Sequence, residues 1–506
     1  MSNSRATAHS FHAGLIGSNM RSHKSLLGVL VLSLAVILAG CGSGKFTMGQ
    51  NPPPVTGTFT NASLNGSYAF LIRGTITGFF SIAGSFQANG AGVITAGTED
   101  INSPGTGILM NNVAITGTYV VLADGRTTAN ITSPAGNFVI DFILLSNQHG
   151  LAMRFNNSGT GSGTVDLQDA ASFSAATIQG SFAFSLYGGD HNGNFEVTAG
   201  AFTTTDINNS DAIQVGVQDF NDNGTLSVNR TLTGAFANPA SGRGTATLTT
   251  NVGALNFAYY VVDSNHLILI ETDTAPELAG NAFRQMPTPI SGALAVELSG
   301  SSGSVAFAAG AILKSDGASS ILTTSTEDVN KGGTVTQNLA VSGVFSAFLN
   351  GRATINLPGS SGMASLVVYP TTAGFLVVSI DAGTVASGTA FTQQSLPPSN
   401  SSLNGSYGFS LGGTNSAGTV DAIAEFTADG KGNIAGNLDE NSAGVLGSGL
   451  ALTGTNSIAS TGRGTAVLNS SAGSMNLILY MVDASDFIYL EADTGQVATG
   501  RIQLQQ

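Results

Sequence analysis

Short runs of alternating apolar and polar residues cover most of the chain, and turn residues separate them. Eight such runs follow one another between residues 403 and 506. Alternation with a period of two is typical of β-strands, whereas a helix repeats its apolar positions every three or four residues. No long stretch after residue 40 has the helical spacing, so the pattern predicts an all-β fold. The predicted strands of this stretch are Ser406–Leu411, Val420–Ala428, Asn433–Asp439, Ala451–Ile458, Gly464–Asn469, Met475–Val482, Phe487–Ala492 and Ala498–Leu504.

Tight turns join these predicted strands. The sequence Asp-Gly-Lys-Gly at 429–432 separates the second strand from the third, and glycine easily adopts the positive φ of a hairpin turn. Eight antiparallel strands with local turns form a meander, which closes most simply as an up-and-down barrel. A two-sheet β-sandwich is the alternative, because the number of strands does not decide how they close.

Three sequence landmarks recur in phase, four times each. The first is an apolar run with glycine at its third position, the second is a Gly-Arg pair, and the third is a glutamine that follows a glycine by five residues. The glycines of the first landmark are spaced by 114, 112 and 113 residues. The landmark residues are Gly66, Gly180, Gly292 and Gly405; Arg126, Arg243, Arg352 and Arg463; and Gln168, Gln285, Gln393 and Gln505.

The repetition predicts four tandem domains. Each is long enough for a core of its own, so the expected arrangement is a row of separate beads. Proline-rich segments at 287–289 and 397–400 mark linkers, because proline cannot continue a strand. The strand Met475–Val482 is apolar on both faces, which predicts packing between neighbouring domains or, alternatively, a binding surface. The predicted domains are 64–170, 178–286, 290–395 and 403–506.

The N-terminal segment has the pattern of an export signal. A basic stretch, Arg21–Lys24, precedes the apolar run Leu26–Leu38, which is too short to span a bilayer. The next residues complete Leu38-Ala39-Gly40-Cys41, which resembles the lipobox of bacterial lipoproteins. The resemblance implies a signal peptide over 1–40, with its true start possible at Met20, lipidation of Cys41, and a flexible tether over 41–63. It also implies attachment to the outer membrane, facing the periplasm or the cell surface.

The opening of each domain carries a second resemblance. Gly66-Ser67-Tyr68 and Gly405-Ser406-Tyr407 resemble the Gly-x-Trp that begins the first strand of lipocalin- and avidin-like (calycin) barrels, although this chain contains no tryptophan. The resemblance implies barrels that could each carry a small apolar ligand.

The net charge and the numbers of cysteine and histidine residues limit the kinds of partner and site that the chain can have. The net charge of −14 repels nucleic acid. A single cysteine excludes an internal disulfide and a cysteine-ligated zinc site. The three histidines after the leader, His149, His191 and His266, are isolated in the sequence and are expected in turns or at the surface. No cofactor is predicted.

Acidic residues recur at strand ends and provide two hypotheses. Paired carboxylates could hold Ca²⁺, which binds six to eight oxygens, but acids that bond local N–H groups in turns are the favoured interpretation. The candidates are Glu99, Asp100, Glu327, Asp328, Asp439 and Glu440, with Asp206 alone in the second domain.

The second hypothesis makes Arg243 and Arg463 structural. Each is expected to be partly buried and paired with an acid of its own domain, Glu271 or Glu491.

No nucleophile elbow, HExxH motif or phosphate-binding glycine loop occurs, so catalysis is not predicted. The sequence favours a non-catalytic lipoprotein of the cell envelope that displays repeated β domains, with a glycan or an envelope protein as partner. A carrier of small apolar ligands is the first alternative, and a secreted enzyme is the second.

Overall fold

The computed structural model describes residues 58–207, 210–394 and 397–506. The predicted leader, Cys41 and most of the predicted tether lie outside the described residues. Strands dominate the described part of the chain, and its one α-helix, α1 (Ala175–Ile178), has four residues. The all-β class is therefore confirmed. Short 3₁₀ turns occupy Asn61–Ser63, Pro104–Thr106, Ala170–Ser172 and Asn400–Ser402.

The strands form four antiparallel barrels in chain order, named barrels 1 to 4. Barrel 1 contains β1 (Asn65–Thr75), β2 (Phe79–Asn89), β3 (Val93–Ser103), β4 (Ile108–Ala114), β5 (Thr116–Val121), β6 (Arg126–Thr132), β7 (Phe138–Leu144), β8 (His149–Arg154) and β9 (Thr160–Leu167). Barrel 2 contains β10 (Gly180–Gly189), β11 (Phe195–Ile207), β12 (Ser210–Asp222), β13 (Thr225–Thr231), β14 (Thr233–Phe236), β15 (Arg243–Thr249), β16 (Ala254–Asp263), β17 (His266–Glu271) and β18 (Glu277–Arg284).

The other two barrels have eight strands each. Barrel 3 contains β19 (Gly292–Ser302), β20 (Val305–Ser315), β21 (Ser320–Lys331), β22 (Thr334–Phe345), β23 (Ala353–Asn356), β24 (Ser365–Thr371), β25 (Gly374–Ser379) and β26 (Val385–Thr392). Barrel 4 contains β27 (Asn404–Asn415), β28 (Gly418–Asp429), β29 (Asn433–Ser442), β30 (Val445–Ile458), β31 (Arg463–Ser470), β32 (Gly473–Asp483), β33 (Asp486–Glu491) and β34 (Gln496–Leu504).

Each barrel closes because its first strand pairs with both its second and its last strand, as β27 does with β28 and β34. In barrels 1 and 2 the fourth strand position is split in two, and both pieces pair with the third strand. Every barrel thus has eight strand positions. The meander closed as an up-and-down barrel is confirmed, and the sandwich is excluded.

Side chains fill the inside of each barrel. In barrel 4, alternate residues point inwards and pack Tyr407, Phe409, Phe426 and Tyr489 into one apolar core. The rings of Phe409 and Tyr489 stack with their centroids 5.1 Å apart. Barrels 1, 2 and 3 contain equivalent cores. An eight-stranded barrel is just wide enough for side chains to fill it, and these cores take up that space.

The barrels also pack against one another through their outer faces. Ile478 and Tyr480 point away from the core of barrel 4 and pack against Ala308 and Ile312 of barrel 3. Similar apolar clusters join barrel 1 to barrel 2 and barrel 2 to barrel 3. The expected packing of strands that are apolar on both faces is therefore correct. The expected separate beads are not found, because the described residues form one compact unit.

Barrel 4 contacts barrel 1, which closes the four barrels into a ring. Ile423 of barrel 4 packs with Ile143, Leu145 and Met153 of barrel 1. The backbone N–H of Gln506 donates a hydrogen bond to the Leu145 oxygen at 2.7 Å. Every barrel consequently has two neighbours.

Candidate functional site: interbarrel contacts and a central cavity

The recurring arginine of one barrel binds an aspartate of the preceding barrel. Arg463 of barrel 4 donates from Nε and Nη2 to Asp328 of barrel 3, at 2.8 and 2.7 Å. Arg243 makes the same two hydrogen bonds to Asp100 of barrel 1, at 2.8 and 2.6 Å. Arg352 binds Asp219 of barrel 2 in the same way. Such two-point pairing fixes orientation as well as distance.

A tyrosine completes each of these three contacts. Tyr480, opposite Arg463 on the neighbouring strand, donates its hydroxyl to Asp328 at 2.7 Å. Burial raises the pKa of the Tyr480 hydroxyl well above its ordinary value, and the Asp328 charge raises it further. The backbone N–H of Asn338, whose φ is 56°, adds a fourth hydrogen bond to Asp328. The fully buried carboxylate of Asp328 is therefore well satisfied.

A buried asparagine two residues after each aspartate makes a second contact. The side-chain amide of Asn330 donates to the backbone oxygens of Glu491, Asp493 and Gln496 in barrel 4, at 2.9, 3.2 and 2.8 Å. The equivalent asparagines bind the following barrel in the same way. They are Asn102, Asn221 and Asn441.

The closing glutamine provides a third contact and explains the glycine before the arginine in three of the four repeats, whereas Gly242 lies against the Phe173 ring. Gln393 Nε2 donates to the Met481 backbone oxygen of the next barrel at 2.7 Å. Gly462 lies against this side chain, and a Cβ at Gly462 would be 2.2 Å from Gln393 Nε2. Its φ of 83° also favours glycine. Gln505 reaches barrel 1 in the same manner, donating to the oxygens of Asp124 and Leu144.

The predicted acidic partners of the arginines were wrong. Glu271 and Glu491 lie at the ends of their strands on the inward face, because side chains alternate between the two faces of a strand. Both carboxyls are buried away from Arg243 and Arg463. Burial raises the pKa of Glu271 to about 10 and that of Glu491 to about 9. Gln496 donates to Glu491 Oε2 at 2.7 Å.

The Ca²⁺ candidates are separated by the same alternation. Asp100 points outwards to Arg243, whereas Glu99 points inwards and accepts a hydrogen bond from Ser133. Glu327 likewise points inwards and accepts from Ser360 at 2.7 Å. In barrel 4, Asp439 accepts from Ser448 and from the N–H of Gly449, while Glu440 is half-buried. Within the described ranges, no group of three or more His, Cys, Asp or Glu is placed to hold a metal ion.

Sequence reasoning missed three kinds of interface residue. Asp219, and not Asp206, is the second-barrel equivalent of Asp100. The asparagines and tyrosines also went unnoticed, although Asp-x-Asn recurs in all four repeats. A tyrosine follows the arginine by 17 residues in three of them, as Tyr480 follows Arg463. Aligning the four repeats by these spacings would have found them.

The contact between barrels 4 and 1, named the seam, lacks part of this arrangement. Ile143 occupies the tyrosine position. Arg126 Nη1 lies 3.9 Å from Asp439 Oδ2, and its Nε donates to Asp124 of its own barrel at 3.0 Å. The seam therefore has a looser ion pair than the other three interfaces.

A cavity of about 760 Å³ lies where all four barrels meet. The first and last strands of each barrel face it. Its aromatic side chains come mainly from barrels 1 and 2, among them Phe79, Tyr187 and Phe195. Barrels 3 and 4 contribute mainly glycines and small hydroxyl residues, among them Ser299, Ser387, Thr389, Ser410, Thr414 and Thr499.

His149 and Arg501, which line this cavity, each belong to an ion pair. His149 Nδ1 lies 2.6 Å from Asp166 Oδ1. Burial alone would lower the pKa of His149, but the charge and hydrogen bond of Asp166 outweigh it and raise that pKa. Arg501 is paired with Asp486. His149 was expected in a turn or at the surface, and it is instead half-buried at the start of β8.

Burial also raises the pKa of three carboxyls at the cavity. The pKa of Glu277 rises to about 8, and those of Glu297 and Asp421 rise to about 7. Ser81 donates to Glu277, and Thr160 donates to Asp421 at 2.7 Å. These acids keep their protons to a higher pH than exposed carboxyls do.

No family model matches the chain, and no curated protein matches it. Solved structures similar to it include two crystal structures of the vaccine antigen Transferrin Binding Protein B from Haemophilus parasuis Hp5. A single mutant has a TM-score of 0.20 at 9% identity, covering 87% of this chain and 96% of that one. A double mutant has a TM-score of 0.20 at 10% identity, covering 87% and 75%. This similarity is too low to transfer a function. No helix in the described ranges combines the length and apolarity needed to cross a bilayer.

Proposed function

We propose that the chain is a non-catalytic, lipid-anchored protein of the cell envelope, whose four barrels form one rigid ring that binds envelope polymers through its outer faces. The cyclic set of arginine, asparagine and glutamine contacts carries this proposal. The recurring arginines and aspartates are engaged in ion pairs and hydrogen bonds between barrels, as Arg463 and Asp328 are. That use favours a structural role for them over a catalytic one.

The outer faces of the ring support display. The fourth strand of barrel 3, β22, exposes Thr334, Thr336 and Gln337, and β30 of barrel 4 exposes Thr453 and Thr455. Polar faces repeated at fixed positions around a rigid ring can bind a repetitive polymer with avidity. Cys41 and the segment that follows it would hold the ring at the membrane, on the outer-membrane side if the lipobox is read as its resemblance implies.

The filled barrels argue against the carrier alternative in its original form. Each lumen contains the packed core of its own barrel, such as Phe409 and Tyr489 in barrel 4. A small ligand would therefore need to bind outside the lumens.

The anchor is tested by comparing the full chain with a Cys41→Ser variant. We expect the parent to incorporate a fatty-acid analogue and to sediment with membranes, and the variant to do neither. Lipid labelling that persists in the variant would contradict the anchor.

Binding is tested with residues 42–506 and isolated envelope polysaccharide or envelope protein. We expect cosedimentation with one of them that weakens in a Thr336→Glu/Thr453→Glu variant, because both threonines are exposed. A chain that binds neither material contradicts the proposed function.

A further inference from the structure

The central cavity contains an aromatic platform, a row of side chains in mutual contact. The guanidinium carbon of Arg73 lies 3.8 Å from the ring centroid of Tyr187. Tyr187 lies against Phe195, and Phe195 against Phe79, with centroids 5.8 and 5.7 Å apart. All four residues are half-buried. Rings that remain partly open in a cavity offer an apolar surface for a ligand.

Two polar atoms at the cavity have no hydrogen-bond partner among the described residues. They are Arg73 Nε, a donor, and Glu297 Oε2. Arg73 Nη1 donates to the Ala279 oxygen at 2.9 Å, and Glu297 Oε1 accepts from Thr389 at 3.3 Å, so both side chains are held in place. A buried polar atom without a partner is costly. A ligand that accepts a hydrogen bond from Arg73 Nε and donates one to Glu297 Oε2 would remove the free-energy cost of leaving these atoms unpaired.

The cavity presents little net charge to a ligand. The charges of Arg501 and His149 are balanced by Asp486 and Asp166. Arg73 lies near Glu277, whose pKa its charge lowers in opposition to burial, and the buried Glu297 and Asp421, with pKa values raised to about 7, are partly protonated at neutral pH. A neutral ligand therefore fits this environment better than an ion does.

We infer that the central cavity binds a neutral saccharide of one or two rings. The C–H face of a sugar ring would lie on the platform of Tyr187, Phe195 and Phe79, and its hydroxyls would bond the serine and threonine wall of barrels 3 and 4. Arg73 Nε and Glu297 Oε2 are buried in the absence of a ligand, and small shifts of their side chains would expose them as a donor and an acceptor. The volume of about 760 Å³ lies within the range of pockets that hold ligands of this size.

This inference goes beyond the proposed function, because a ring that binds polymers on its outer faces needs no ligand at its centre. Filling the cavity should therefore leave polymer binding unchanged. Loss of polymer binding with intact saccharide binding would reject the proposed function alone.

The test uses residues 42–506 and calorimetric titration with glucose, N-acetylglucosamine, maltose and cellobiose, together with the charged sugars glucuronate and glucosamine. We expect at least one neutral sugar to bind and both charged sugars to bind more weakly. A Ser299→Phe variant, which fills the cavity, should weaken binding at least tenfold. A Ser319→Phe variant at an exposed turn is the matched control and should bind like the parent.

A second variant separates a loss of binding from a loss of folding. Glu297→Gln keeps the shape of the side chain and should weaken binding severalfold while the circular dichroism spectrum remains that of the parent. Absence of binding by all four neutral sugars at millimolar concentration would overturn the inference. Binding that persists in the Ser299→Phe variant, or a charged sugar that binds more tightly than the neutral ones, would overturn it as well.

Discussion

Three interbarrel interfaces share one construction, and the seam between barrels 4 and 1 departs from it. At the interface of barrels 3 and 4, Asp328 accepts hydrogen bonds from Arg463 and Tyr480. At the seam, Ile143 replaces the tyrosine and Arg126 is shared between Asp124 and Asp439. The four barrels therefore share one strand topology, but the polar contacts at the seam are weaker than those at the other three interfaces.

Buried acids make the seam different in a second way. Asp141, Asp421 and Glu425 lie at or near the seam, and burial raises the pKa of each to about 7. The strand registers place apolar or small residues at the equivalent positions elsewhere. For Asp141 these are Ala258, Val367 and Ile478. For Asp421 they are Ser81, Val197 and Ala308. For Glu425 they are Ser85, Ala201 and Ile312.

From this comparison we expect the ring to open first at the seam. Arg126 is the cation that faces Asp141 and Glu425, and Asp124 and Asp439 add further negative charge there. The ring stays closed only while all four interbarrel interfaces are intact. If the weaker interface at the seam separates, the ring opens while every barrel stays folded.

The largest contrast is expected between two arginine substitutions. Arg463→Ala leaves the fully buried Asp328 without its cation, and breaking such a pair costs about 3–5 kcal/mol. Arg126→Ala at the seam should cost less, about 1 kcal/mol, because its pair with Asp439 is long and its closer partner, Asp124, is partly exposed. Urea unfolding of residues 42–506 measures both. Equal losses would contradict the distinction between the two interfaces.

The Arg463→Ala substitution also separates two explanations of the recurring arginine. In an isolated barrel 4 (residues 397–506), Asp328 is absent, so the substitution should change the melting temperature little. A large loss of stability in that fragment would show that Arg463 acts within its own barrel.

A smaller effect is expected from pH. The raised pKa values mean that the seam acids stay protonated in the folded chain at a pH where they ionise in the unfolded chain. Their favourable contribution is therefore complete below about pH 4 and is lost as the pH rises through about 7.

An Asp141→Ala/Asp421→Ala/Glu425→Ala variant introduces alanine, which occurs at each equivalent position in another barrel. At pH 8 the variant should resist urea better than the parent by at least ~1 kcal/mol, and its stability should fall less between pH 4 and 8. Identical pH profiles for parent and variant would show that these acids do not weaken the seam.

A substitution at Ile143 tests the shape of the seam. Ile423 of barrel 4 stands where barrel 3 has Gly310, whose backbone packs against the Tyr480 ring. Ile143→Tyr alone should therefore clash and cost about 1–3 kcal/mol. Adding Ile423→Ala should recover most of that loss and give an interaction energy of about 0.5–3 kcal/mol in a double-mutant cycle. Strict additivity of the two substitutions would contradict this packing.

The sequence was sufficient for the fold because its signals are local. Alternation and turns predicted all eight strands of the fourth repeat, from Ser406–Leu411 to Ala498–Leu504, and the strands observed overlap each of them. The apolar outer face of Met475–Val482 also predicted packing between repeats. Both features depend on residues close together in the chain.

The candidate site could be predicted only in part, because its contacts join different repeats. The recurrence of Arg243 and Arg463 indicated a partly buried arginine paired with an acid, but spacing within one repeat pointed to Glu271 and Glu491. The true partners, Asp100 and Asp328, lie in the preceding repeat. Closure of the ring and the central cavity have no signature in any single repeat.

The most direct test of the closed ring is a chemical crosslink across the seam. Residues 42–506 contain no cysteine, because Cys41 is the single one in the chain. Asn157 of barrel 1 and Val445 of barrel 4 are exposed, and a Cβ at the neighbouring Gly444 would be 2.5 Å from the Asn157 backbone oxygen. An Asn157→Cys/Val445→Cys variant therefore places two thiols at the seam.

The matched control is Thr334→Cys/Thr494→Cys, which spans barrels 3 and 4 at the equivalent place. A short bis-maleimide should join the two thiols within one molecule in both variants, giving a monomer that migrates faster in a denaturing gel. A crosslink in the control variant but none at the seam, with both seam thiols still reactive to a monofunctional maleimide, would contradict the closed ring.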